Sequence, residues 1–404
     1  MIATINLSAG YRGLPVVGGV NISLRGGEFV AVIGPNAAGK TTLLKTLASL
    51  LKPLSGVVYL DGVDSARRGA RETARLVGVV LTEQPRHLQL TVLEVVALGR
   101  YPYTNPLDRL SEKDRREVLR ALRDMGIEDL AERRFGELSD GQRQKVMLAR
   151  ALAQEPRVLI LDEPVTFLDP KARLEVLAEI KRVCIERGIT VVASLHEVEL
   201  ALRMADRLIV VADGKVKTYD SPEEFVELGG PSILYGLGLG VKFSAETMAL
   251  EFSRTNEGPR VFVIAGGGSG ALVYRMLARL GYQFSTGVLH RGDIDYHVAC
   301  MLGGRIVAER AFHPIGPESA QRALQEALSC AAAIYTSPEI GPLNLENQIL
   351  AETVALQGPP LIILGNAEFQ GAFASVESLS ELSETLKKLL KNGEEAKQAA
   401  PTAE

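Results

Sequence analysis

The stretch Gly34-Pro-Asn-Ala-Ala-Gly39-Lys40-Thr41 fits the pattern G-x-x-x-x-G-K-[ST] and decides the fold of the first part of this chain. An apolar run, Phe29–Ile33, comes directly before it, and a helical pattern, Thr42–Leu51, follows it. Glycines let the backbone curl so that successive N–H groups point at phosphate oxygens, and the new helix presents its positive end to the same anion. The order of strand, loop and helix therefore predicts a site for the phosphates of a nucleoside triphosphate.

Two side chains of this loop supply specific chemistry. Lys40 offers a mobile positive charge to the β- and γ-phosphates, and Thr41 offers a hydroxyl to Mg²⁺. We therefore expect ATP and Mg²⁺ as ligands, with Lys40 also acting in catalysis. The residues predicted to contact the nucleotide are Gly34, Pro35, Asn36, Ala37, Ala38, Gly39, Lys40, Thr41 and Thr42.

A second apolar strand candidate, Val158–Leu161, ends in the acid pair Asp162 and Glu163. A buried strand of a parallel sheet delivers such side chains to its carboxyl edge, where the ligands of these sheets bind. We predict that Asp162 holds Mg²⁺, directly or through water. Glu163 is then predicted to accept a proton from the attacking water as general base.

Composition limits the other classes of function. The 404 residues are 46% hydrophobic and 23% charged, with a net charge of -4, which argues against a dominant basic surface for nucleic acid. The three cysteines are scattered and show no metal-ligand spacing. No uninterrupted apolar run approaches the roughly 20 residues that span a bilayer. If the protein drives transport, the pathway through the membrane is expected to be another polypeptide.

The chain divides into two α/β parts in this reading. Short β-rich runs alternate with helical patterns up to about residue 240, which is typical of a largely parallel sheet. A Gly-rich passage, Leu228–Gly240, and a polar segment, Ser253–Pro259, indicate a boundary. We predict an ATP-binding domain at 1–240, a linker at 241–258, a smaller α/β domain at 259–392 and a disordered tail at 393–404.

The second part opens with a glycine-rich turn of its own. Gly266–Ala271 follows a strand candidate and matches G-x-G-x-x-A, with Asp293 and Asp295 a little over 20 residues further on. Two interpretations stay open: a bound anionic or nucleotide-like ligand, or a tight turn in a Rossmann-like α/β fold. The acids fall beyond the end of the next strand candidate, which weakens the first interpretation. Regulation of the ATPase, or a dimer contact, is a hypothesis for this part.

A third motif gives the first part a family resemblance. Leu138-Ser139-Asp140-Gly141-Gln142 precedes a helical pattern and resembles the signature of ABC ATPases, although that family usually has Gly where this chain has Asp140. The resemblance implies a P-loop NTPase fold of ABC type with a helical subdomain. It also implies a homodimer, because in this family Ser139, Gly141 and Gln142 would contact the γ-phosphate of ATP held by the other subunit.

The same resemblance assigns four more residues in chain order. Tyr11 is similar to the aromatic residue that stacks on adenine, and Gln84 to the glutamine that senses Mg²⁺ and the water. Asp169 is similar to the aspartate that couples the two sites of a dimer. His196, at the end of a strand candidate, resembles the histidine that hydrogen-bonds the γ-phosphate. Gln84 and His196 are counted with Lys40 and Glu163 as catalytic.

Two stretches, Thr91–Tyr103 and His196–Ala201, resemble importers of iron-siderophores, haem and cobalamin. The resemblance implies transmembrane permease subunits that contact the surface between Gln84 and Tyr103, an indirect substrate-binding protein, and a location at the cytoplasmic face of the cell membrane. One alternative is an ordinary packing helix at 91–103. Another is a soluble, non-transport ABC ATPase regulated by its second domain as a sensor.

Overall fold

The computed structural model describes residues 1–82, 88–104, 110–236, 241–245, 249–252 and 258–399. The chain forms two compact units, Met1–Gly236 and Leu237–Glu404. The division between these units falls after residue 236.

Two sheets build the first unit. The main sheet has the order β11-β10-β4-β9-β8-β7 and is parallel except for the β10–β11 pair. A smaller antiparallel sheet has the order β2-β1-β5-β6, with β3 also on β1. Their strands are β1 Ile2–Tyr11, β2 Leu14–Val20, β3 Ser23–Leu24, β4 Phe29–Ile33, β5 Ser55–Leu60, β6 Val63–Asp64, β7 Val77–Val80, β8 Val158–Leu161, β9 Thr190–Ser194, β10 Arg207–Ala212 and β11 Lys215–Tyr219. The predicted α/β fold is confirmed.

Helices cover these sheets. One buried cluster joins residues of both sheets to Leu43, Leu44 and Leu47 of the first helix, so this helix is fixed directly beneath the phosphate loop. The helices are α1 Lys40–Leu47, α2 Ala70–Leu76, α3 Val92–Ala97, α4 Glu112–Asp124, α5 Asp140–Leu152, α6 Pro170–Arg187, α7 Val198–Met204, α8 Pro222–Glu227 and α9 Gly230–Tyr235. Among the described residues, no helix is both long and apolar enough to cross a membrane.

The helical part of this unit, α3 to α5, is organised around a buried cation. Arg100 is only 1% exposed and pairs with Asp114 at 2.9 Å and Glu155 at 2.8 Å. Its guanidinium carbon also lies 4.0 Å from the ring centroid of Tyr103. A buried charge is tolerated only when it is paired and hydrogen-bonded in this way, so Arg100 fixes the turn that follows α3.

The second unit is doubly wound. Its parallel sheet has the order β16-β15-β14-β17-β18-β19. Strands are added on one side of β14 up to β16 and on its other side from β17 onward, as in Rossmann folds. Its strands are β12 Val241–Ser244, β13 Ala249–Phe252, β14 Arg260–Ile264, β15 Gln283–His290, β16 Arg305–Glu309, β17 Ala332–Tyr335, β18 Leu361–Leu364 and β19 Ala374–Val376. Its helices are α10 Ala271–Leu280, α11 Ile294–Met301, α12 Pro317–Leu328, α13 Leu345–Gln357 and α14 Leu379–Ala399. The predicted Rossmann-like fold is confirmed.

Two segments differ from the sequence-based expectation. The predicted linker at 241–258 contains the antiparallel hairpin β12–β13, and Glu251 of β13 forms an ion pair with Arg275 of α10. Alternating apolar residues give this segment strand character, which the nearby glycines obscured. Within the predicted disordered tail, the backbone stays helical through Ala399, because the segment is rich in strong helix formers such as Ala, Glu and Lys.

Candidate functional site

The phosphate loop leaves the buried strand β4 and enters α1 at Lys40. Two positions of this loop require glycine, because neighbouring atoms leave no room for a Cβ. A Cβ on Gly34 would lie 2.0 Å from the carbonyl oxygen of Val211, and a Cβ on Gly39 would lie 2.7 Å from Val16 Cγ1. Gly39 also has a φ of 105°, which an L side chain rarely adopts. The strand-loop-helix order predicted from the sequence is therefore observed.

Lys40 is only 6% exposed, and its ammonium donates to the carbonyl oxygens of Gly34 and Pro35, both at 2.9 Å. Burial lowers the pKa of this ammonium, and the nearby carboxylates of Glu163 and Asp162 oppose that shift. The positive charge is thus held at the mouth of the loop and faces the acid pair at the end of β8.

The acid pair is fixed by a hydroxyl that the sequence analysis did not single out. Ser194, fully buried at the end of β9, donates to Asp162 Oδ1 at 2.9 Å and accepts from the Glu163 N–H at 2.8 Å. The strands β8 and β9 are neighbours in register, with Leu161 opposite Ala193. The sequence does place a serine at the end of a strand candidate. Linking this serine to Asp162 requires knowing that β9 lies beside β8, which the sequence alone does not give.

Glu163 and His196, two of the predicted site residues, contact each other. His196 Nε2 lies 2.5 Å from Glu163 Oε1, and the Thr166 hydroxyl donates to Glu163 Oε2 at 3.2 Å. Glu163 itself has a φ of 54°, an uncommon conformation outside glycine that aims its side chain at His196. Both oxygens of the candidate general base are therefore oriented by neighbours, which favours a defined position for the water it would activate.

A cavity of about 550 Å³ joins these groups, which is in the range of small-molecule sites. The phosphate loop forms one wall, and the ends of β8 and β9 contribute the other. The lining residues are Val16, Asn36, Ala37, Gly39, Lys40, Thr41, Thr42, Glu163 and His196. One concave site thus combines the predicted phosphate loop with the predicted base and histidine.

Other predicted site residues lie elsewhere among the described residues. Ser139 is exposed at the N-terminus of α5, where its hydroxyl accepts from the Gln142 N–H at 3.3 Å. Asp169 caps α6, accepting from the Lys171 N–H at 3.0 Å. Tyr11 ends β1 with 46% exposure. The described lining of the cavity includes none of these three, so their roles stay predictions. Gln84 lies outside the described residues.

The glycine-rich turn of the second unit uses its amides internally. The Gly267 N–H donates to Asp293 Oδ2 at 2.8 Å, and the Gly268 and Gly270 N–H groups donate to Asp295 at 3.1 Å. These are the donors that would cradle a phosphate in a dinucleotide site. Because two carboxylates of the same chain already occupy them, the geometry favours the tight-turn interpretation.

We expect Asp295→Asn to destabilise the second unit by about 2–3 kcal/mol, because an amide nitrogen would face buried N–H donors. Burial raises the pKa of Asp295 above its ordinary value of 3.8, so the wild-type unit loses stability as the pH rises from about 4 through the raised pKa. The Asn variant lacks that slope. Thermal unfolding from pH 4 to 8 measures both effects, with Glu384→Gln in α14 as the matched change. Equal stability of the two variants would contradict this prediction.

Ser194→Ala should lower the ATP turnover about 10- to 100-fold, as expected for a group that orients the carboxylate predicted to hold Mg²⁺. The change removes the hydroxyl that joins Asp162 to the Glu163 backbone. Steady-state ATPase rates across a Mg²⁺ titration would show a raised Mg²⁺ requirement. Ser23→Ala, in the exposed part of β3, is the control, and unchanged rates in both variants would refute the role of Ser194.

A largely parallel sheet, a phosphate loop after β4 and an acid pair at the end of β8, with β9 between these two strands, define a P-loop ATPase. Residues 17–166 match the model of the ABC transporter family, and residues 284–399 match that of the MJ0874 family. The chain belongs to the ABC transporter ATP-binding proteins, and its activity is ATP hydrolysis at this nucleotide-binding unit.

Three relatives support that placement. The ABC transporter ATP-binding protein MJ0873 of Methanocaldococcus jannaschii is 42% identical over 293 residues, 72% of this chain and 100% of that protein. The achromobactin transport ATP-binding protein CbrD of Dickeya dadantii is 39% identical over 226 residues, 56% of this chain and 84% of that protein. The cobalamin import ATP-binding protein BtuD of Halobacterium salinarum is 33% identical over 303 residues, 74% of this chain and 76% of that protein.

Proposed function

We propose that this chain is the ATP-hydrolysing, energy-coupling subunit of an ABC importer for iron-siderophore or cobalamin-type cargo. Its similarity to an achromobactin transport protein and to a cobalamin import protein is the observation that carries the proposal. The subunit would work at the cytoplasmic face of the cell membrane, bound to transmembrane permease subunits and served indirectly by a substrate-binding protein.

The residues that line the cavity support a specific hydrolytic step. A water oxygen attacks the γ-phosphorus of ATP, Glu163 accepts a proton from that water, and the bond to the bridging oxygen of ADP breaks. Lys40 and His196 offset the charge that develops on the phosphoryl oxygens. The contact between His196 and Glu163 supports this division of roles, because it places the histidine beside the base at the cavity wall.

The donor set fits Mg²⁺ as the cofactor. Thr41 offers a hydroxyl in the cavity lining and Asp162 offers a carboxylate that is only 3% exposed, and Mg²⁺ prefers hard oxygen ligands of this kind. When bound, the ion neutralises negative charge on the phosphates. The Ser194 hydroxyl would keep the Asp162 carboxylate turned toward it.

A second copy of the chain would complete the site. Ser139 caps α5 at an exposed position, and a helix N-terminus of this kind is suited to an anion. In the proposed homodimer, Ser139, Gly141 and Gln142 of one copy face the γ-phosphate held by the other. Asp169 would lie at the contact between copies.

The permease would contact the turn after α3. Leu98 and Tyr101 are 52% and 67% exposed there. Arg71 and Arg75 of α2 both donate to the Pro102 carbonyl oxygen, each at 3.0 Å. Exposed apolar side chains are common in protein interfaces. Here they lie on a turn that the buried Arg100 and the two exposed arginines of α2 hold in place, which suits a coupling surface.

Transport in proteoliposomes tests the proposal. The chain, co-expressed with a candidate permease, should co-purify with it and drive ATP-dependent uptake of a ferric siderophore or cobalamin, with haem as a third candidate. Leu98→Glu should reduce uptake at least tenfold, whereas Ile185→Glu, at the 68% exposed position on α6, should not. Failure to co-purify, with full ATPase activity in solution, would favour the soluble ATPase with a sensor domain.

For the second unit, the proposed role is regulation of the ATPase or contact between the copies of a dimer. Removal of this unit, by truncation before residue 255, should change the oligomeric state, the ATPase rate or the uptake rate. If all three stayed unchanged, this hypothesis would be abandoned while the importer proposal would stand.

A further inference from the structure

One arginine contacts both loops that lie beside the candidate base. Arg173 stands in the first turn of α6 and is 23% exposed. Its Nη1 forms an ion pair with the Glu197 carboxylate, and its Nη2 donates to the Leu168 carbonyl oxygen at 3.2 Å. A planar guanidinium with fixed donor directions is suited to hold two partners at once.

The two partners belong to different parts of the site. Leu168 ends the loop that begins at Glu163 and leads into Asp169, the residue proposed to lie at the contact between copies. Glu197 directly follows His196 in the loop after β9. The Arg173 guanidinium is therefore a direct bridge between the loop of the base and the loop of the histidine.

The Glu197 carboxylate is used in this bridge and not in helix capping. Glu197 is the N-cap residue of α7, yet its side chain makes no capping hydrogen bond. The shorter carboxylate of Asp commonly accepts from N–H groups of the first turn at this position. Here the carboxylate pairs with Arg173 instead.

The bridge also has room to shift. A cavity of about 130 Å³ lies between the two loops, and Arg173, Glu197, His196 and Thr166 are among its lining residues. Arg173 Nε is buried without a hydrogen-bond partner in the described part of the chain. A buried donor without a partner is costly, so the guanidinium gains by any rearrangement that satisfies it.

We propose that Arg173 is a positioning residue that couples the Asp169 loop to the His196 loop. Through this bridge, contact of a second copy at Asp169 would stabilise the arrangement in which Glu163 and His196 lie together. The inference rests on the proposed two-copy site. It assigns Arg173 no contact with ATP, so its loss should lower turnover rather than nucleotide affinity.

Steady-state ATPase kinetics of the full-length chain test the inference. Arg173→Gln should lower kcat about 10- to 100-fold, with the KM for ATP changed less than about threefold. The dependence of the rate on ATP concentration should also become less cooperative, because one copy no longer signals to the other. Lys171→Gln, at an 88% exposed position in the same turn, is the matched control and should behave as the wild type.

Two further variants keep the test decisive if Arg173→Gln folds poorly. Glu197→Gln removes the same ion pair from its 47% exposed side and should reproduce the loss of kcat. The exchange Arg173→Glu with Glu197→Arg restores the pair with reversed charges and should recover at least part of the rate of either single change. A kcat within twofold of wild type for both single variants, or an exchange no better than either, would overturn the inference. An inactive wild-type chain would instead refute the proposed function.

Discussion

Glu163→Gln should lower the ATP turnover by roughly 10²- to 10⁴-fold, the range a general base contributes, while ATP binding is retained. The substitution preserves the size of the side chain, but an amide cannot accept the proton of the attacking water. Glu163 is 2.5 Å from His196 Nε2 and accepts from Thr166, so its orientation does not depend on substrate. The loss should therefore appear in kcat and not in nucleotide affinity.

The same variant should accumulate an ATP-bound dimer, because the step that reopens the two-copy site is blocked. Size-exclusion chromatography with and without ATP would detect it. Glu227→Gln, at an exposed position at the end of α8, is the matched carboxylate-to-amide control and should neither slow hydrolysis nor trap a dimer. Rapid hydrolysis by Glu163→Gln without a trapped dimer would refute the assignment of the base.

The phosphate loop and the acid pair were predictable because each is a short continuous run whose chemistry is complete locally. Gly34–Thr41 contains its own glycines, cation and hydroxyl, and Val158–Glu163 contains both its strand and its acids. Ser194 was not predictable in this way. Its hydroxyl matters only because β9 lies beside β8, and a single sequence does not specify strand order.

In the second unit, the sequence predicted the fold but not what the glycine-rich turn binds. Its glycine pattern indicated a Rossmann-like turn correctly, and the strand order agrees with it. The sequence left the ligand open, because a glycine-rich turn has the same pattern whether its amides bind a phosphate or a carboxylate. Asp293 and Asp295, which were noted a little over 20 residues after the glycine pattern, accept hydrogen bonds from the N–H groups of Gly267, Gly268 and Gly270.

Ser139→Arg should reduce turnover to background while ATP binding stays largely intact. In one copy, Ser139 is exposed and forms no part of the cavity that holds Lys40 and Glu163, so its replacement leaves that cavity unchanged. In the proposed dimer, a long cationic side chain at the N-terminus of α5 would block approach to the opposing γ-phosphate. Full activity of this variant would refute the two-copy site.

Mixing two inactive variants separates a shared site from a local defect. Ser139→Arg and Lys40→Ala chains should each be inactive alone, because each homodimer has both of its sites damaged. In a mixed dimer, the phosphate loop of the Ser139→Arg copy meets the intact α5 N-terminus of the Lys40→Ala copy, so one site is whole. Turnover should then reappear on mixing and rise with the fraction of mixed dimers. If the site were built within one chain, ATP turnover would not recover at any mixing ratio. That result would show that the N-terminus of α5 only supports the structure of its own chain.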